Sequence, residues 1–298
     1  MTNPLNTIKR GGARFYVDPT TGTKVPGVTS VMQNLPKPFL KPWGEKLAAE
    51  FAVNNIDTVT SLVNSGDESA AVDLVKGAAR RYTTQAAQRG DEVHTMFEAM
   101  ALGQTVQAAS DELRVYQGHI TEFFNVVKPK FRHVEATVWS EQHGYAGSFD
   151  WLADVEIDGE LVTVIGDTKT TKPGPNGPHE EVALQLSAYA RADYLMLGDG
   201  TKVDMPKIDA GAVFHVRSEG WTFRPINIGD DVFQTFLGLR AFFEVQQQWN
   251  EWEAGAKAKT SSLYQSLVGA PLASGPGAEP VKVTQPVRRA PRSKRVDA

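Results

Sequence analysis

Two acidic residues and a lysine near the middle of the chain carry its most specific chemistry. They lie in the stretch Gly147-Ser-Phe-Asp150-Trp-Leu-Ala-Asp-Val-Glu-Ile-Asp158-Gly159-Glu-Leu-Val-Thr-Val-Ile-Gly-Asp167-Thr-Lys169. Asp158-Gly159, set between two β-prone runs, is a favoured two-residue hairpin turn, because both positions tolerate positive φ. That loop pairs Ile157 with Glu160, so the two numbers of each later pair sum to about 317. Asp150 then falls opposite Asp167, and Ser148 opposite Lys169. Strand alternation places Phe149, Trp151, Ala153, Val155, Val162 and Val164 on one face and Asp150, Asp167 and Lys169 on the other. Two carboxylates so opposed have Cβ atoms about 5 Å apart. At an effective dielectric of 20 they repel by about 3 kcal/mol. Lys169 offsets part of this, and a hard divalent cation such as magnesium would offset the rest. The plainer alternative is a set of solvated charges on an outer face. Against it stands Leu161-Val-Thr-Val-Ile-Gly166, apolar on both sides as in a covered central strand.

Other residues could complete such a site. His94 borders the apolar stripe Val93, Met96, Phe97 and Met100, whose spacing predicts a helix stopped by Gly103. Gln185 and Tyr189 are one helical turn apart and share a face. A partly buried tyrosine capped by its neighbouring amide explains them equally well. Glu98 and Glu135 are possible accessory groups, with ordinary salt-bridge roles favoured. Asp154 shares the face of Asp150 but sits nearer the turn, where water solvates it.

Gly90-Asp-Glu-Val-His94, Gly147-Ser-Phe-Asp150, Asp167-Thr-Lys169 and Gln185-Leu-Ser-Ala-Tyr189 occur in that order. In this the chain resembles the PD-(D/E)XK nuclease superfamily, and within it the RecB-like exonuclease family of the phage-recombination and CRISPR-associated type. The likeness covers residues 90–195. It implies that Asp150, Asp167 and Lys169 are catalytic, and that Asp150, Asp167, the Thr168 carbonyl and His94 hold Mg2+ or Mn2+. It gives Lys169 the task of orienting or activating the attacking water and steadying charge on the phosphate. Gln185 and Tyr189 are implied to contact the DNA backbone or support the site, with Lys172 beside it. The implied activity is metal-dependent DNA hydrolysis by an exonuclease in phage-type recombination, repair or replication. An endonuclease of the same fold, or a non-catalytic DNA-binding or scaffolding relative, is the alternative. Phe149 stands where the superfamily has proline, and with no cysteine in the chain the iron–sulfur cluster of many relatives is excluded.

The surrounding elements follow from pattern. Arg14–Val17 and a return running to Val31 form a hairpin around Asp18-Pro-Thr-Thr-Gly22. Pro36, Pro38 and Pro42 precede a helical region over 43–128. Strands are expected at 131–139, 147–157, 160–169, 210–216 and 221–226, and helices at 179–197 and 230–252. The fold expected is α/β: a restriction-endonuclease-like central mixed sheet flanked by helices, with an N-terminal helical region. The nuclease domain would span 1–255, with its sheet core at 130–252, and 256–298 would be a disordered tail. Composition is that of an ordinary globular chain, 41% hydrophobic and 22% charged over 298 residues. The net charge of −4 divides into +5 over residues 281–298 and −9 over the rest. DNA would therefore meet a local site and the tail, which could also bind a single-strand annealing or other recombination protein. No membrane span and no nucleotide-binding loop is present, so a cytoplasmic location, that of the host cell if phage-encoded, is expected, without a motor.

Overall fold

A computed structural model of the chain describes residues 6–171, 177 and 179–257, without side chains for 248–257. The elements run β1 (Thr7–Arg10), β2 (Ala13–Val17), β3 (Lys24–Pro26), α1 (Val28–Met32), α2 (Leu40–Asn54), α3 (Ile56–Asn64), α4 (Glu68–Lys76), α5 (Ala78–Ala101) and α6 (Asp111–Val127). There follow β4 (Lys130–Ser140), β5 (Tyr145–Ile157), β6 (Glu160–Thr170), α7 (Glu181–Ala190), β7 (Tyr194–Met196), β8 (Lys202–Asp204), β9 (Ala210–Arg217), β10 (Gly220–Ile226) and α8 (Asp230–Lys257). Among the described residues, those up to Glu244 belong to one compact unit and 245–257 to a second. Of the tail expected at 256–298, only Ala256 and Lys257, in the last turn of α8, are described. No described helix is long and apolar enough to cross a membrane.

The organising element is a seven-stranded sheet in the order β10-β9-β6-β5-β4-β7-β8. The β6–β9 pair is parallel and the other pairs are antiparallel, so the sheet is mixed. Helices cover both faces, which makes the fold a mixed α/β sheet flanked by helices. On one side, Val93 and Phe97 of α5 and Ile120 and Phe123 of α6 pack on Trp151, Ala153, Val164 and Phe214. On the other, α1, α7 and α8 supply Val31, Leu186 and Phe236 against Val138, Leu152, Ile165 and Val213. Burial on both sides explains why β6 and β9 read as unbroken apolar runs. α6 starts where Ser110 accepts a hydrogen bond from the Leu113 amide at 3.2 Å, and it ends at a left-handed Lys128 ahead of Pro129.

The hairpin turn forms as its residues dictate: Asp158 has φ 52° and Gly159 φ 82°. The register from Ile157–Glu160 to Trp151–Gly166 is the expected one. Gly166 is needed where it stands, because a Cβ there would lie 1.9 Å from Cζ2 of the fully buried Trp151. Gly166→Ala should therefore destabilise the protein by at least about 3 kcal/mol in denaturant titration. A loss below 1 kcal/mol would mean that the ring finds another place.

Elsewhere the expectations need correction. Phe149 does not share a face with Trp151; it packs with Val138, Tyr145 and Tyr189 in the opposite core. Alternation breaks at Glu135, which adopts left-handed φ 52° in β4 opposite Asp150, so both strands exchange faces there. The helix expected at 179–197 stops at Ala190. Past it, the Asp193 carboxylate accepts the amides of Glu141 (2.7 Å) and Gln142 (3.0 Å), and Tyr194–Met196 joins β4 as a strand. The N-terminal hairpin is a three-stranded sheet, and its return ends at Pro26 before α1. Asp18 anchors its turn by accepting the Thr20 hydroxyl at 2.6 Å and the Thr20 and Thr21 amides, which hold its carboxyl down at about 2.

Candidate metal centre

β5 and β6 pair from the turn as far as Trp151–Gly166, and Asp150 and Asp167 are the first residues past the last pair. Beyond that point β5 runs along β4, with an isolated parallel bridge from Ala146 to Gly27, and β6 runs along β9. Ser148 accordingly lies opposite Thr137 and Lys169 opposite His215, so the expected Ser148–Lys169 pairing does not occur. Where the strands part, Asp150 turns to two partners. Its Oδ2 accepts a hydrogen bond from the Thr168 amide at 2.6 Å and lies 3.4 Å from Nδ1 of His94 on α5.

The carboxylate facing Asp150 across the sheet is Glu135 of β4, fixed by the flanking pairs Val134–Trp151 and Ala136–Phe149. One donor atom from each of His94, Glu135 and Asp150 lies within 4.8 Å of the others. Asp167 is outside that trio. It is buried, and Lys169 Nζ donates to its Oδ1 at 2.8 Å. Its Oδ2 is also 2.8 Å from the ammonium but accepts no directed hydrogen bond, and the buried Thr168 Oγ1 has no partner among the described residues. Of the expected set of Asp150, Asp167, the Thr168 carbonyl and His94, the cluster contains Asp150 and His94. The Thr168 amide donates to Asp150, Glu135 joins the cluster, and Asp167 stands beside it with Lys169.

Charge in this corner is out of balance. Burial first, then Asp150 and Glu98, push the Glu135 carboxyl up to about 8. Burial and Asp150 raise Asp167 to about 6 against the opposing pull of Lys169 and His94. Burial alone would lower the Lys169 ammonium, but Asp167 and Asp150 together outweigh it and leave it raised. Excess negative charge, two carboxylates and an imidazole within reach of one point, and a buried oxygen short of a hydrogen bond all fit a divalent cation. Ligands around an ion with bonds of about 2.1 Å stand roughly 3 to 4 Å apart. The His94–Asp150 separation of 3.4 Å falls within that range, and all three donors lie within 4.8 Å of one another.

Tyr189 is fully buried on α7. Gln185 Nε2 donates to its hydroxyl at 3.3 Å, the capped-tyrosine arrangement. The Tyr189 ring lies on Gly147, where a Cβ would come within 2.3 Å of it, which gives that glycine a steric reason. Gly90 has open space around it and gains no such reason. Asp154 is not free in water; it pairs with Arg132 at 2.9 Å and accepts the Thr163 hydroxyl. Lys172 lies outside the described residues. The sequence offers Glu135 only as an accessory group with a salt-bridge role favoured, because strict alternation hides its position opposite Asp150. The signal for it lay in the β4–β5 loop, whose pairing Ser140–Tyr145 leads back to Glu135 opposite Asp150.

No family model and no curated protein matches the chain. Among solved structures, one described as the crystal structure of SSO0001 aligns with 50% of this chain and 82% of its own, at 10% identity and a TM-score of 0.26. A score that low supports no conclusion about fold or activity.

Proposed function

We propose that this chain is a divalent-metal-dependent DNA nuclease of the RecB-like branch of the PD-(D/E)XK superfamily, built on the restriction-endonuclease-like form of its mixed sheet. The observation that carries this reading is the convergence of His94, Glu135 and Asp150 donors within 4.8 Å, next to the Asp167–Lys169 ion pair. His94, Glu135 and Asp150 would hold Mg2+ or Mn2+, and the ion would supply Lewis acidity and an acidified water. The Thr168 amide fixes the Asp150 carboxylate in place. Asp167 keeps the Lys169 ammonium charged, and the part-exposed Lys169 side chain presents that charge to phosphoryl oxygens. Tyr189 and Gly147 hold α7 against β5 behind the site.

Among nuclease activities the exonuclease is proposed, on the likeness of the four motifs. The test uses end-labelled linear and circular single-stranded DNA with Mg2+, Mn2+ or EDTA. Progressive loss of the linear strand in either metal, with the circle intact and no loss in EDTA, is expected. Cleavage of the circle would replace the exonuclease by an endonuclease, and an inert protein in both metals would overturn the reading.

A further inference from the structure

A cavity of about 990 Å3 has Phe39, Trp43, Tyr82 and His179 in its walls. Thr171 also lines it, one residue beyond the end of β6 and two beyond Lys169, about 7 Å along extended chain. The cavity lies between the start of α2, α5 and the chain leading into α7. Phe39 is 53% exposed although large and apolar. Its ring is parallel to His179 within 13° at 6.4 Å, the long end of the range for ring pairs (about 4.5–7 Å). Trp43 meets Tyr82 edge to face at 5.5 Å, which stiffens the opposite wall. Flat π-faces on a rigid frame are what unstacked bases bind.

The charges select among possible occupants. Lys37 is paired with Glu181 at 2.8 Å, and Glu180 and Asp231 add two more carboxylates to the lining. That surface repels a phosphate backbone. It suits base edges, whose exocyclic amino groups donate to carboxylates. Glu181 also contributes to the charge environment of Lys169.

We infer that the aromatic cavity is a base-binding subsite, which takes unpaired bases of a single-stranded DNA whose backbone lies at the His94–Glu135–Asp150 centre. The inference rests on the nuclease reading for the position of the backbone. It assigns the substrate as single-stranded at the site, because paired and stacked bases cannot enter.

The test is fluorescence anisotropy of the full chain in EDTA with a labelled short oligodeoxynucleotide and an abasic strand of the same length. The wild-type chain should bind the normal strand at least about tenfold more tightly than the abasic one. Phe39→Ala should remove that difference and Phe39→Trp should keep it. Equal binding of the two strands, no binding of either, or a full difference in Phe39→Ala would overturn the subsite. The comparison of strands needs no variant, so it decides the matter even if Phe39→Ala misfolds. Hydrolysis of the normal strand in Mn2+, assayed in parallel, separates the two readings. Base-dependent binding without hydrolysis retains the subsite and removes the nuclease, and hydrolysis with equal binding does the reverse.

Discussion

Asp150→Asn should abolish Mn2+ uptake in calorimetry and lower DNA hydrolysis by roughly a thousandfold, with the fold intact. The magnitude follows from what the residue does in the proposed reaction. Metal-ion catalysis supplies several kcal/mol of transition-state stabilisation, and each 1.36 kcal/mol is a factor of ten in rate. Asp150 is the member of the cluster through which the rest is tied together, with Thr168 on one side, His94 on the other and Glu135 across the sheet. Asparagine keeps the shape and an oxygen that can accept the Thr168 amide, so the strand ends should stay in place. It loses the negative charge on which a divalent ion depends. The melting temperature in EDTA should change little, because removing one of several crowded carboxylates offsets the weaker bond to Thr168. Mn2+ binding close to that of the wild type would place the ion elsewhere. Hydrolysis close to wild type would remove Asp150 from the chemistry.

The parts of this centre differ in how far local chemistry specifies them. Asp158-Gly159 specifies the β5–β6 register because only certain residues accept two consecutive positive φ angles, and the pairing runs true to Trp151–Gly166. His94 is legible from the apolar stripe beside it, and Lys169 and Asp167 from their place at the end of a covered strand. The facing of Asp150 is a different matter. Strict alternation sets it against Asp167, whereas a left-handed glutamate in the neighbouring strand turns it toward Glu135. No composition rule signals such a residue, since non-glycine residues at positive φ are uncommon and held by their surroundings. The short strand β7 escaped for a related reason. Tyr194–Met196 follows an alanine-rich helical run without glycine or proline, and tertiary bonds to Asp193 end that helix. The aromatic cavity could not be read either, because Phe39, Trp43, Tyr82 and His179 come from three separate parts of the chain. Local rules thus place the candidate residues to within one strand. Long-range packing decided which carboxylate faces which.

Glu135→Gln separates a metal ligand from a structural carboxylate by the sign of its effect. Without metal, the folded protein holds the Glu135 carboxyl up to about 8 against an ordinary value of 4.5. Between those values the folded state keeps a proton that the unfolded state has lost, so stability must fall as pH rises from about 4.5 to 8. Asp167, raised from 3.8 to about 6, acts in the same direction over the lower part of that range. The decline between pH 6 and 8 in EDTA therefore belongs to Glu135, and Glu135→Gln should flatten it. At pH 8 the variant should be more stable than the wild type by the order of a few kcal/mol. Glutamine has the same length and the same tolerance of the backbone angle, so strain cancels in the comparison. Adding Mn2+ should reverse the order. The wild type gains RT ln(1 + [L]/Kd) from the ion, while the variant, short of one charged donor, gains far less. Melting curves at pH 6 and 8, with and without Mn2+, give the four values required. If the variant is the less stable one at pH 8 in EDTA, a protein partner holds Glu135 and its place as a ligand is lost. A more stable variant that still gains as much from Mn2+ as the wild type would show that the ion sits on other donors.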